Sequence, residues 1–322
     1  MNMKKRSSAV LATSILTALA AAAYTASAHA DSFKLEHSDG VVTLPASPQR
    51  IVSFDLAVLD TLAKLDQPVA GVPKSQYERT LSDFKDTTVV GTLFEPDFDV
   101  LKEVKPDLIF AGGRSQAAIP ELKTIAPTAT FNTDPKQFLK DFRNNNLKLA
   151  DAFGKKDIAT AALAEIDKDL EQLHERNKGK TAAMLFTIKG NVIAHAPGDR
   201  FGYAYALTGT ESVLPAKDPN APVAPRPQPN TPEAKAAAEA RAKAISDVAK
   251  ADPDWLIVLD RGAINGGEKT AKETLAKHPE LSQTQAFKEG RVYYADPNGW
   301  YVVGGGLNNM KAITGSLLAE MK

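Results

Sequence analysis

Cysteine is absent from the 322 residues. No His/Cys catalytic pair can therefore form, and the chain lacks the residue through which a bacterial lipoprotein carries its lipid. In an oxidising compartment the same absence prevents wrong disulfides. Histidine occurs only five times, which argues against a free Mn or Zn site built from several His and carboxylate ligands. Gly-x-Ser-x-Gly, His-Glu-x-x-His and a Walker loop are also missing, so the common hydrolase, metalloprotease and nucleotide-binding signatures are excluded. Excess charge is lacking too, with 39 basic residues against 39 acidic ones. A nucleic-acid or anionic-membrane partner would call for a basic surface.

The first thirty residues read as a secretory signal. Lys4, Lys5 and Arg6 form the charged start, and residues 9–23 form an alanine-rich apolar stretch. Ala28-His29-Ala30 supplies the small-x-small cleavage pattern. The stretch is too short and too rich in alanine for a membrane span. Cleavage after Ala30 removes three basic residues and leaves 36 against 39, a net charge of −3. The expected mature protein is a soluble, unlipidated monomer of a Gram-negative periplasm. Its length suits two lobes, each with its own core.

Residues 41–131 carry short apolar runs at 49–54, 68–72, 108–111 and 129–131, with helical patterns at 56–65, 98–104 and 117–125. Strands alternating with helices imply a parallel sheet covered on both faces. Residues 134–177 then show near-helical apolar spacing with a break near Gly154, and read as a rigid connector. A hairpin is predicted over 182–196, with its turn at Lys189-Gly190-Asn191. Strands follow at 255–259 and 292–295, and a closing helix at 307–321. Residues 216–232 are rich in Pro and Ala and read as a mobile loop, before an alanine-rich helix over 233–251. The domain plan is a signal at 1–30, an N-terminal α/β lobe at 31–135, a connecting helix at 136–178 and a C-terminal α/β lobe at 179–322.

One internal echo bears on function. Val104-Lys105-Pro106-Asp107-Leu108 resembles Ala251-Asp252-Pro253-Asp254-Trp255. Each puts a Pro-Asp stop between a helix and a buried strand, and an arginine follows each strand: Arg114 and Arg261. In open α/β sheets, ligands bind beyond the carboxyl ends of strands.

Four patterns in this order resemble one family. They are Pro48-Gln49-Arg50-Ile51-Val52 with Asp60-Thr61-Leu62; Lys105 to Ile109 with Gly112-Gly113-Arg114-Ser115; Gly198-Asp199-Arg200-Phe201-Gly202; and Asp254 to Arg261 with Asp296-Pro297-Asn298-Gly299-Trp300-Tyr301. Together they resemble the class III periplasmic binding proteins that serve iron-siderophore, haem and cobalamin importers. Within that class they are most similar to the group binding ferric catecholates such as enterobactin. The resemblance implies two Rossmann-like lobes joined by a long connecting helix, with a ligand cleft between them. It also implies no enzymatic activity, no intrinsic cofactor, a ferric siderophore as cargo and an inner-membrane ABC permease as partner.

In that group three arginines grip the anionic siderophore and a tyrosine can ligate iron. The matching positions are Arg114, Arg200, Arg261 and Tyr301, with Ser115 beside the first and Trp300 and Phe201 as stacking surface. The chemistry suits the cargo. A ferric tris-catecholate carries a net charge of about −3, and a basic cleft offsets that charge and steers it inward. Guanidinium hydrogen-bonds paired oxygens and stacks on rings, and a phenolate suits hard Fe(III). Tyr301 reads equally well as loop packing.

One departure stands out. Relatives often place an iron-ligating histidine between the second and third arginines, yet residues 201–260 contain none. His195 is the substitute candidate, though it reads more readily as a hairpin histidine; His37, His174 and His278 read as surface. Family carboxylates that dock the permease match Asp99 and Asp247. Three readings stay open beside this one: a haem or cobalamin carrier of the same fold, a siderophore-processing enzyme, and a scaffold or adhesin.

Overall fold

The computed structural model describes residues 32–218 and 227–322. The predicted signal and its cleavage site lie outside these residues, as do residues 219–226 of the Pro/Ala-rich segment. No helix among the described residues is long and apolar enough to cross a membrane.

The described chain opens with a hairpin missed by the sequence reading, β1 (Phe33–His37) and β2 (Gly40–Leu44). Then come β3 (Ile51–Ser53), α1 (Leu56–Lys64), β4 (Val72–Lys74), β5 (Val89–Thr92) and α2 (Phe98–Val104). β6 (Leu108–Phe110), α3 (Ile119–Leu122) and β7 (Thr128–Ala129) complete the first lobe. β3, β6 and β7 form a parallel sheet, β4 pairs with β5 in parallel, and a bridge from Val52 to Gly71 joins the two sets. Ile51, Val52, Leu108, Ile109 and Phe110 are at most 1% exposed. That is why these strands read as continuous apolar runs rather than as alternating ones.

The connector breaks near Gly154, as the sequence implies, but it does not run on in one direction. In place of one helix there are two, α4 (Phe138–Ala152) and α5 (Lys156–Arg176). Gly154 between them adopts φ +65°, the left-handed conformation that ends a helix. Arg143 of α4 forks onto the Asp167 carboxylate of α5, with one arm at 3.0 Å. A continuous helix would hold those residues about 36 Å apart, so the chain folds back at Gly154. α4 lies against the first lobe, where Lys148 pairs with Glu36 and Asn145 donates to the Asn132 carbonyl. α5 lies against the last helix of the second lobe, where Lys311 and Thr314 both reach Asp169, at 2.8 and 2.7 Å.

The second lobe holds β8 (Thr181–Ile188), β9 (Asn191–His195), α6 (Tyr203–Thr208), β10 (Glu211–Ser212), α7 (Pro232–Ala251) and β11 (Trp255–Asp260). α8 (Ala271–Lys277), α9 (Gln285–Lys288), β12 (Val292–Ala295) and α10 (Leu307–Glu320) follow. The parallel order is β10-β8-β11-β12, with β9 antiparallel to β8. The predicted hairpin is present. Lys189 and Gly190 both take positive φ at its two-residue turn, the geometry that matches the twist of the flanking strands.

The internal echo is a structural equivalence. Lys105 and Asp252 end α2 and α7 in the left-handed conformation, at φ 52° and 47°. Each precedes a proline, which cannot continue a helix. Asp107 then accepts the backbone N–H groups of Gln49 and Arg50, and Asp254 accepts that of Thr181. In both lobes the aspartate thus pins its strand to the start of the parallel neighbour, β6 to β3 and β11 to β8.

Candidate functional site

Arg114 follows β6 and Arg261 follows β11, each in a short 3-10 turn at the carboxyl end of its strand. Arg200 lies between β9 and α6. Tyr301 sits in a π-helical turn, residues 298–303, just before α10. Four distant segments therefore meet at one phenol. The guanidinium carbons of Arg200, Arg261 and Arg114 lie 4.8, 5.4 and 5.5 Å from the centre of the Tyr301 ring. All are within the range at which a cation is drawn to a ring. Arg261 Nε also donates to the Tyr301 hydroxyl at 3.2 Å.

The loops that carry these groups are tightly held. Ser115 is fully buried, and its hydroxyl bonds to the amide and the carbonyl of Gly112. It shapes the arginine loop from beneath rather than facing a ligand. Asp260 accepts the N–H groups of Gly262, Thr270 and Ala271 at 3.0, 2.5 and 2.7 Å, which fixes the loop bearing Arg261. Arg114 crosses to the second lobe and donates to the carbonyls of Tyr301 and Val302 at 2.7 and 3.1 Å.

Two predicted stacking residues have other roles. Trp300 is 2% exposed and packs in the core against Tyr203 and Tyr293, so the expectation that it offers surface to a ligand is corrected. The same turn leaves the adjacent Tyr301 half-buried. Phe201 is 3% exposed and lies parallel to the Tyr301 ring, with centroids 5.7 Å apart. It backs the tyrosine, and Arg200 covers its other contact at 5.1 Å.

His195 is engaged elsewhere. Its Nδ1 lies 3.1 Å from Asp199 Oδ2, and its ring packs on Phe186 and Phe201. Lys217 reaches the same carboxylate at 2.8 Å. Burial pushes the Asp199 carboxyl up, but the bonds and charges of His195 and Lys217 outweigh it and hold the group well below the usual range. That ion cluster closes the Arg200 turn, since Asp199 also accepts the Arg200 amide at 2.7 Å. Among the described residues no group of three or more His, Asp or Glu is placed to hold a metal ion.

The electrostatics favour an anion. Burial lowers the Arg114 guanidinium from its usual value, and repulsion from Arg200 lowers it further. Burial would raise the Tyr301 phenol, but the Arg261 hydrogen bond and the fields of Arg200, Arg261 and Arg114 bring it below the ordinary value. The cluster thus stabilises negative oxygen at this point.

Asn309 was missed by sequence reasoning. It is 5% exposed, and its amide donates to the carbonyls of Gly299, Gly304 and Gly305 at 3.0, 2.8 and 3.4 Å, closing the turn around Tyr301. An asparagine three residues after a glycine triplet is the only signal in the sequence. The two predicted docking carboxylates are placed apart from this cluster. Asp99 is exposed near the start of α2 and paired with Lys102 at 3.0 Å, while Asp247 of α7 pairs with Lys243 at 2.6 Å.

Comparison with known proteins agrees with this architecture. Residues 51–298 match the periplasmic binding protein family. The chain belongs to that family. It is 32% identical to the petrobactin-binding protein YclQ of Bacillus subtilis, over 83% of this chain and 80% of that one. It is 24% identical to the ferric-anguibactin-binding protein FatB of Vibrio anguillarum, over 88% of this chain and 86% of the relative. The crystal structure of YclQ superposes with a TM-score of 0.76 at 28% identity, covering 91% of this chain and 99% of that one. The family is one of extracytoplasmic ligand carriers, not of enzymes.

Proposed function

We propose that the chain captures a ferric siderophore with anionic, catechol-like oxygens and delivers it to an ABC permease. One observation carries the reading: three guanidinium groups, from segments far apart in sequence, surround a single phenol. A phenol is the closest protein analogue of one catechol ring, so a cage that accommodates Tyr301 has the chemistry to accommodate a catecholate. The iron-chelate names of the relatives support the same class of cargo. Arg200 and Arg261, both exposed, meet the ligand, while Arg114 braces the cleft and offers its remaining donors. Tyr301 supplies a phenolate to Fe(III) where the chelator leaves a position open. His195, committed to Asp199, is the weaker ligand.

The rest of the proposal follows from the sequence. The protein is exported by a cleaved signal to a Gram-negative periplasm and works there without lipid, as a monomer. Asp99 and Asp247 present one carboxylate from each lobe to the permease. The test is tryptophan-fluorescence titration with ferric enterobactin, a linear ferric bis-catecholate, a ferric hydroxamate and haem. Saturable quenching by the catecholates supports the proposal. Quenching by the hydroxamate alone, or by haem alone, overturns it.

A further inference from the structure

α10 begins without a side-chain cap of its own, because its N-cap residue is Gly306. The cap comes from the other lobe: Asp60 of α1 accepts the backbone N–H of Asn309 at 2.9 Å. A carboxylate there satisfies a free amide and complements the positive end of the helix. The approach is so close that a Cβ at Gly306 would stand 2.6 Å from Asp60 Oδ2 and 2.8 Å from the Ala57 carbonyl. Next to Asp60, the Thr61 hydroxyl accepts the Leu307 amide at 3.3 Å and bonds to the Asn146 side chain of α4. The start of α10 is thus fastened to the first lobe.

Asn309 faces both ways. Its backbone meets Asp60, and its side chain closes the turn that carries Tyr301. Gly299 makes that closure possible, since a Cβ there would lie 2.5 Å from Asp296 Oδ2 and 2.9 Å from Asn309 Oδ1. Asp296 in turn accepts the Gly299 amide at 2.7 Å. The turn that carries Tyr301 is therefore closed by a buried amide from the first turns of α10.

We propose that Asn309 is the positioning residue that aims Tyr301 into the arginine cluster, and that Asp60 ties this aim to the first lobe. The pair makes the cleft geometry a joint property of both lobes. This rests on the siderophore-capture reading for its biological purpose, but not for its structural content.

The experiment separates the two. Asn309→Leu keeps the branched shape and removes the donors; Asn308→Ala is the control, as the Asn308 side chain reaches only the Asp60 carbonyl. The phenol titration of Tyr301 is followed by ultraviolet difference absorption, with Tyr301→Phe identifying its share. In Asn309→Leu the Tyr301 step should move up toward an ordinary tyrosine, and affinity for a linear ferric bis-catecholate should fall at least tenfold. Asn308→Ala should leave both unchanged. If Asn309→Leu does not fold, Asn309→Ser is measured instead. An unshifted Tyr301 step in a folded variant overturns the proposal. A shifted step in a protein that binds no ferric catecholate, even as wild type, sustains the positioning role and overturns the capture reading.

Discussion

Arg114 Nη2 donates to the Tyr301 carbonyl at 2.7 Å while its guanidinium carbon sits 5.5 Å from the centre of the same residue's ring. One arginine from the first lobe thus holds a second-lobe residue by its backbone and flanks it by its face. Arg114→Ala should weaken binding of a ferric catecholate by ~1–3 kcal/mol, the range for charge-assisted bonds. Arg114→Lys should recover little, because an ammonium is a point charge that lacks the planar guanidinium fork lying over the ring while it bonds both carbonyls. Fluorescence titration of both variants checks this; full recovery by lysine would reduce the residue to a simple charge.

Arg200→Ala and Arg261→Ala should each weaken the same ligand by ~1–3 kcal/mol. The salt dependence separates them from structural residues, since exposed charges lose influence as ionic strength rises. Affinity of the wild type should fall with added salt, and each variant should show a shallower slope. Unchanged affinity in Arg114→Ala, Arg200→Ala and Arg261→Ala alike would remove the arginine-cleft reading.

The phenol of Tyr301 should ionise below the ordinary tyrosine value of about 10. Burial opposes this, and the Arg261 hydrogen bond with the three cationic fields overcomes it. Arg261→Ala removes the bond and one field, so the step should rise. If the phenolate ligates iron, affinity for a bis-catecholate complex should grow with pH toward that step and stay flat in Tyr301→Phe. Difference absorption and binding measured over the same pH series test both statements.

Asp60 gives stability a pH signature. Burial raises its carboxyl to about 6, against the hydrogen bonds from Thr80, Asn309 and Asn308. In the unfolded chain it titrates near 3.9. The folded state therefore holds the proton more tightly, and stability from this group is full below about pH 4 and lost as pH rises through about 6. The shift corresponds to about 2–3 kcal/mol. Thermal unfolding of wild type and Asp60→Asn should thus diverge between pH 4 and 7, with the wild type losing more over that interval. Parallel pH profiles would contradict this.

Much of the architecture was legible because it depends on local pattern. Apolar runs at 108–111 and 255–259 marked central strands, since a strand buried on both faces must be apolar throughout. Pro106-Asp107 and Pro253-Asp254 marked helix ends, since proline lacks the N–H to go on. Gly154 announced a break but not its angle. The reversal that sets α4 on one lobe and α5 on the other comes from packing and from the Arg143–Asp167 pair, which no local pattern contains.

The sequence by itself determined which residue types stood at strand ends, and so which arginines could reach a cleft. Their meeting on Tyr301 was decided by tertiary structure, because it joins positions 114, 200, 261 and 301 through two separate sheets. The same holds for Trp300 and Tyr301. Adjacent in sequence, they read alike as aromatic surface, yet the π-helical turn buries one and presents the other. That outcome depends on Asn309 and Asp60, whose contacts span 249 residues of chain, a separation at which only the folded structure can bring a carboxylate to a helix end.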